Sequence, residues 1–143
     1  MECRNGFAIE CRNLTARYGS LTALSGLFLS VCRGECFGLL GPNGAGKTTA
    51  MEIFEGLQKP ADGMVEILGR SWGKGEASDR DLRRRIGVTL QETFFPEKLT
   101  VKETLELFRS FYPEGRRVGD LLELLDLTRK QSAKVGTLSG GQR

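Results

Sequence analysis

The feature that most narrows what this chain can fold into is Gly41-Pro42-Asn43-Gly44-Ala45-Gly46-Lys47-Thr48-Thr49, the spacing G-x-x-x-x-G-K-[ST] followed by a second Thr. Such a loop holds phosphate only where the chain turns from the end of a strand into a helix, because there the backbone N–H groups converge and the helix dipole favours an anion. Both flanks are present. Cys36-Phe37-Gly38-Leu39-Leu40 is a short apolar run that predicts a buried parallel strand, while Met51, Phe54 and Glu55 predict a helix over 47–58 with Gly56 near its end. Gly41, Gly44 and Gly46 let the backbone approach phosphates without an intervening Cβ and take positive φ where needed. Lys47 is placed for the β- and γ-phosphates. The Thr48 hydroxyl suits Mg2+, which takes oxygen donors and keeps several waters, and Thr49 adds a donor at the helix start. A chance Gly-rich turn would not come with both the strand and the helix.

At 143 residues there is room for one domain with a real core and not for two. A hydrophobic fraction of 39% and a charged fraction of 27% are those of a soluble globular chain. The nearest approach to a membrane span, 21–31, is broken by Thr22, Ser25, Gly26 and Ser30, and the N-terminus lacks the basic-then-apolar layout of a secretory signal, so a cytosolic protein is expected. The net charge of +3 says little. Its densest basic cluster, Arg80, Arg83, Arg84 and Arg85, is interleaved with Asp79 and Asp81 and reads as a solvated helix face rather than a nucleic-acid patch. Cys3, Cys11, Cys32 and Cys36 form no C-x-x-C pair and there is no histidine, which argues against zinc and for reduced, structural thiols.

Before the loop, Phe7, Ile9 and Cys11 alternate with polar neighbours, and Leu14, Ala16 and Tyr18 continue the alternation up to a Gly19-Ser20 turn. Residues 21–31 then read as one or two further strands, so this block is mostly antiparallel. Tyr18 is the exposed-looking aromatic of the block, and two readings stand side by side: a ring that stacks on a base, or an ordinary strand aromatic. After the loop helix, Pro60-Ala61-Asp62-Gly63 is a turn, 64–69 a strand, 70–78 a surface loop, 79–85 a short helix and 86–91 another strand. Thr100 and Glu103 form a capping box, with Val101, Leu105, Phe108 and Tyr112 at helical spacing over 100–112 before Pro113. A second helix is expected over 118–127, where Leu121, Leu122, Leu124 and Leu125 form a core stripe, and 129–137 reads as loop.

The chain closes on Leu138-Ser139-Gly140-Gly141-Gln142-Arg143. Leu-Ser-Gly-Gly-Gln resembles the signature of the ATP-binding-cassette (ABC) ATPases, and the wording of the phosphate loop resembles theirs too. The resemblance covers essentially the whole chain. It implies an α/β P-loop fold of the ABC ATPase type, divided into a β block and P-loop core over 5–93, a helical subdomain over 94–137 and the signature over 138–143. It also implies roles: Tyr18 stacks on adenine, and Gln91 contacts Mg2+ and the attacking water, which puts it with Lys47 in the catalytic set. Residues 138–142 face the γ-phosphate held by the other subunit of a head-to-tail homodimer or heterodimer. Ser139, Gly140 and Gly141 look independently like a helix opening with a hydroxyl cap, an anion site.

The implied function is that of an ATP-binding subunit of a transporter, of the exporter branch, on the cytoplasmic face of the plasma membrane. Its membrane-spanning subunit is a separate polypeptide, and 92–102, with Phe94, Phe95 and Leu99, resembles the docking surface for it. ATP and Mg2+ are the implied cofactors. The 143 residues lack the family's apolar strand ending in Asp-Glu and its switch histidine, so a fragment is expected, one that binds ATP without turning it over. Glu92 is the one acid to weigh as a substitute, and nothing in the family supports it. The alternatives are a soluble ABC-type ATPase acting on nucleic acid or ribosomes, and a non-catalytic nucleotide-binding remnant.

Overall fold

The computed structural model describes Cys3 and residues 5–89 and 94–142. The chain divides into two compact units, Met1–Val88 and Thr89–Arg143. Each unit has its own buried cluster, one that includes Leu14, Ile53 and Leu82 and one that includes Val101, Leu122 and Leu138.

In the first unit, β1 (Phe7–Tyr18) and β2 (Leu21–Cys32) form one long antiparallel hairpin, and β3 (Asp62–Ile67) pairs with the other edge of β1, giving the order β2-β1-β3. Strict alternation would put Cys11 and Leu14 on opposite faces, yet Cys11, Leu14 and Ala16 are all buried. The pairing register slips between Cys11 and Leu14, and Asn13 takes a left-handed φ of 52°. That bulge inserts one residue and returns Leu14 and Ala16 to the core face. Gly63, at φ 92°, lies so close that a Cβ there would stand 2.3 Å from the Asn13 carbonyl oxygen, so only glycine fits.

Helix α1 (Lys47–Phe54) lays Ala50, Ile53 and Phe54 onto this face, against a core that includes Leu14, Leu24, Val65 and Ile67. It is shorter than the expected 47–58. Gly56, at φ 73°, ends it by donating to Ile53 O while Leu57 donates to Glu52 O, the two bonds of a Schellman stop. The Trp72 ring occupies the space a Gly56 Cβ would need, 2.6 Å away, and its Nε1 donates to Phe54 O at 3.1 Å. Helix α2 (Glu76–Arg84) is anchored by buried Leu82. Its basic residues are solvated as expected: Arg83 stands 5.7 Å from the Trp72 ring centre, Asp81 pairs with Arg70, and Arg80, Arg84 and Arg85 are exposed.

Three expectations fail in this unit. Residues 36–40 and 86–89 are not strands, and Leu40 is 91% exposed. A parallel strand needs a neighbour for its ladder, and among the described residues the sheet is the antiparallel β2-β1-β3 alone. The cysteines are not all reduced thiols. Cys3 and Cys32 form a disulfide with Cα atoms 5.5 Å apart, because Phe7 pairs with Cys32 and the turn from Cys3 to Gly6 brings the chain's start beside the end of β2. Cys11 is buried, which raises its thiol pKa, and Cys36 is exposed.

In the second unit, α3 (Val101–Arg109) and α4 (Val118–Leu124) surround a core of Val101, Leu122, Leu127, Val135 and Leu138, with Phe95, Leu105 and Val118 packed against it. Both helices are shorter than expected, and the leucine stripe is corrected: Leu122 is buried while Leu124 and Leu125 are exposed, since a two-turn helix has only one inward face. The capping box is complete. Thr100 Oγ1 accepts from Glu103 N at 3.2 Å, and the Glu103 carboxylate accepts from Thr100 N at 2.8 Å. The Thr100 backbone N–H and hydroxyl hold the Glu103 carboxyl below its ordinary pKa. Stability from this half of the box is therefore full above the ordinary carboxylate range and is lost as pH falls through the lowered value. Thr100→Ala is expected to cost this unit about 1 kcal/mol, measured as a lower urea midpoint of its helical signal. An unchanged midpoint would mean the box does not hold the helix. No helix among the described residues is long and apolar enough to cross a membrane.

Candidate functional site

The glycine-rich loop sits where β2 and α1 meet. Gly44 and Gly46 take left-handed φ of 81° and 80°, and Gly46 is the residue from which α1 starts. Gly46 also lies against β2: a Cβ there would meet Ala23 O at 2.4 Å and Leu24 Cδ2 at 2.6 Å. Around Gly44 there is no atom within 4 Å of a Cβ position, so the loop's outer side is open. The first intrahelical bond is Ala50 N to Gly46 O, which leaves the N–H groups of Lys47, Thr48 and Thr49 without helical acceptors. Gly41, Pro42, Asn43, Gly44 and Ala45 are exposed, and Ala45 N donates to Pro42 O across the turn.

Lys47 folds back along this loop. Its Nζ donates to the carbonyls of Gly41 at 2.7 Å and Pro42 at 2.6 Å, which holds the ammonium across the loop. Thr48 is exposed and Thr49 is buried. The two threonines thus present one hydroxyl outward and one inward, where Thr49 Oγ1 lies 3.4 Å from the phenol oxygen of Tyr18. Tyr18, at the end of the hairpin and 48% exposed, also contacts Gln58 Oε1 at 2.6 Å and Glu52 Oε2 at 3.3 Å. The fold therefore brings Tyr18 to the same helix that the loop begins. The contacts with Glu52 and Gln58 were missed from sequence. Thr49 and Glu52 are three apart on one helix face, but spacing alone does not say what faces them.

Gln91 lies outside the described residues. In the second unit, Leu138 is buried in the core and donates from its N–H to Val135 O. Ser139 follows it, and Gly140–Gln142 forms a single 3-10 turn. Gly141 lines an apolar cavity of about 350 Å³ with Thr104, Leu105 and Leu138. Of the expected docking cluster, Phe94 is 86% exposed, whereas Phe95 packs on the unit's core with its ring edge-on to Phe108 at 5.7 Å.

A model of the family described as ABC transporter matches residues 24–143. The chain belongs to the ABC transporter family. It is 39% identical over 140 residues to the Nod factor export ATP-binding protein I of Burkholderia orbicola (strain AU 1054), covering 94% of this chain and 45% of that protein. It is 40% identical over 144 residues to the daunorubicin resistance ATP-binding protein DrrA2 of Streptomyces coeruleorubidus, covering 97% and 44%. A solved ATP-binding subunit of an ABC transporter superposes with a TM-score of 0.79 at 29% identity, over 94% of this chain and 58% of that one. The ADP conformation of an ATP-binding cassette gives 0.72 at 27% identity, over 95% and 60%. The chain spans about half the length of the curated relatives it matches. These likenesses bear out the α/β fold of the ABC ATPase type. The matched ABC region begins at residue 24 and so takes in the loop, α1 and 138–142, while Tyr18 lies before it.

Proposed function

We propose that this chain is the nucleotide-binding part of an ABC exporter's ATP-binding subunit, taking ATP at 41–49. The observation that carries the reading is the pair of left-handed glycines leading into α1, with N–H groups at the helix start that have no acceptor within the helix and the Lys47 ammonium held across the same loop. Lys47 neutralises the β- and γ-phosphates, exchanging two carbonyl partners for charged oxygens. The donor set also fits Mg2+. Thr48 is exposed where the loop enters α1, and a hydroxyl completed by phosphate oxygens and water is the sparse protein contribution this ion accepts. Bound Mg2+ would supply charge neutralisation on the phosphates. Gln91 is assigned to the metal and the attacking water on the family resemblance.

The relatives' names carry the transport side of the reading, since both are ATP-binding proteins of export or drug resistance. We assign a membrane-spanning partner subunit, docking through exposed Phe94 rather than core-packed Phe95, and a second ATP-binding subunit opposite 138–142. Such an assembly works at the cytoplasmic face of a membrane. Turnover belongs to the full-length subunit, and the 143 residues alone bind ATP without releasing phosphate. Calorimetry and phosphate release on the purified chain test this. The expected result is one ATP bound, more weakly after chelation of Mg2+, with phosphate released at the rate of buffer. Absence of ATP binding would overturn the reading.

A further inference from the structure

We propose that Gln58, together with Glu52 and Thr49, is a positioning group that fixes the Tyr18 ring as the platform for the nucleotide base; this rests on the nucleotide reading above and deepens it. Tyr18 closes the β1–β2 hairpin opposite Leu21, beside Gly19 at φ 59°, and its side chain is 48% exposed. Burial alone leaves such a ring free to turn. Its edge, however, is held. The phenol has one proton, and the 2.6 Å contact to Gln58 Oε1 takes it in preference to Glu52 Oε2 at 3.3 Å. The Thr49 hydroxyl at 3.4 Å is then placed to donate to the phenol oxygen. A tyrosine kept only for packing would bury its faces. This one is bonded at its edge while about half of its surface stays exposed, room in which a base can stack.

The partners also say where the platform is measured from. Thr49 and Glu52 both lie on α1, whose first residue is Lys47, and Gln58 follows just after the helix stop. The phosphate loop that opens into α1 and the side chains that hold the Tyr18 edge are then tied to the same helix.

Titration calorimetry of the purified full chain with ATP and with inorganic tripolyphosphate separates the two grips. Wild type should prefer ATP by about tenfold, the worth of one base stack. Gln58→Leu and Tyr18→Phe should each lower ATP affinity about fivefold, the worth of one hydrogen bond, with tripolyphosphate affinity unchanged. The double variant should be no weaker than the weaker single one. Tyr18→Phe keeps the ring, so its loss reads positioning and not stacking, and it carries the test should Gln58→Leu fail to fold. ATP affinity unchanged in Tyr18→Phe, or equal weakening of both ligands, overturns the proposal. A wild type that binds ATP and tripolyphosphate alike removes the base platform while leaving the phosphate loop standing. One that binds neither overturns the nucleotide reading, and this with it.

Discussion

Lys47→Ala is expected to lower ATP affinity by about a hundredfold or more while the fold stays intact. The side chain's bonds are to two carbonyls of its own loop, Gly41 and Pro42, both exposed and able to turn to water. Removing it therefore costs the folded chain little. In the proposed ATP complex the same ammonium would face the phosphates, and a charge-assisted bond of that kind is worth about 1.5–3 kcal/mol, more than one of them being lost on substitution. Calorimetry with ATP, beside urea unfolding of both proteins, checks the two halves together. Equal affinity in wild type and variant would mean that the loop is not where phosphate binds.

Gly46→Ala should strike both stability and binding. The residue must hold φ 80°, and its Cβ would run into a backbone oxygen, Ala23 O at 2.4 Å, as well as Leu24 Cδ2 at 2.6 Å. The backbone strain and the overlap each cost about 1–3 kcal/mol, and the Ala23 carbonyl cannot swing aside, since Thr22 and Leu24 on either side of it are paired with β1. Gly44→Ala is the control. It has nearly the same φ, 81°, but open space around the Cβ position, so it should cost only the strain, about 1–3 kcal/mol. The urea midpoints should fall in the order wild type, Gly44→Ala, Gly46→Ala. Two alanine variants of equal stability would show that contact with β2 contributes nothing.

How far these features could be read from sequence follows the range over which each is decided. The loop, the hairpin and the Thr100–Glu103 box are decided within a few residues, by glycine conformations, alternation and one reciprocal pair of bonds, and these were legible. The bulge at Asn13 was not, because the break in alternation between Cys11 and Leu14 shows only when one asks which residues are buried. The apolar run 36–40 has a strand's composition, but a strand also needs a neighbour, and composition cannot supply one. The disulfide between Cys3 and Cys32 depends on the register that sets Phe7 against Cys32. At the site, Lys47 and the glycines announced themselves, whereas Gln58 is forty positions from Tyr18 and carries no motif.

Helix α1 is fastened at both ends: at its start by Gly46 against the β2 backbone, at its finish by the Gly56 stop under the Trp72 ring. Eight residues make a rod of about 12 Å, and a rod clamped at both ends can neither slide nor tilt on its own. It acts as a fixed gauge. Lys47 and two of the groups that touch Tyr18, Thr49 and Glu52, all stand on that rod, so in the nucleotide reading proposed above the spacing of the two grips belongs to the helix rather than to the molecule being gripped.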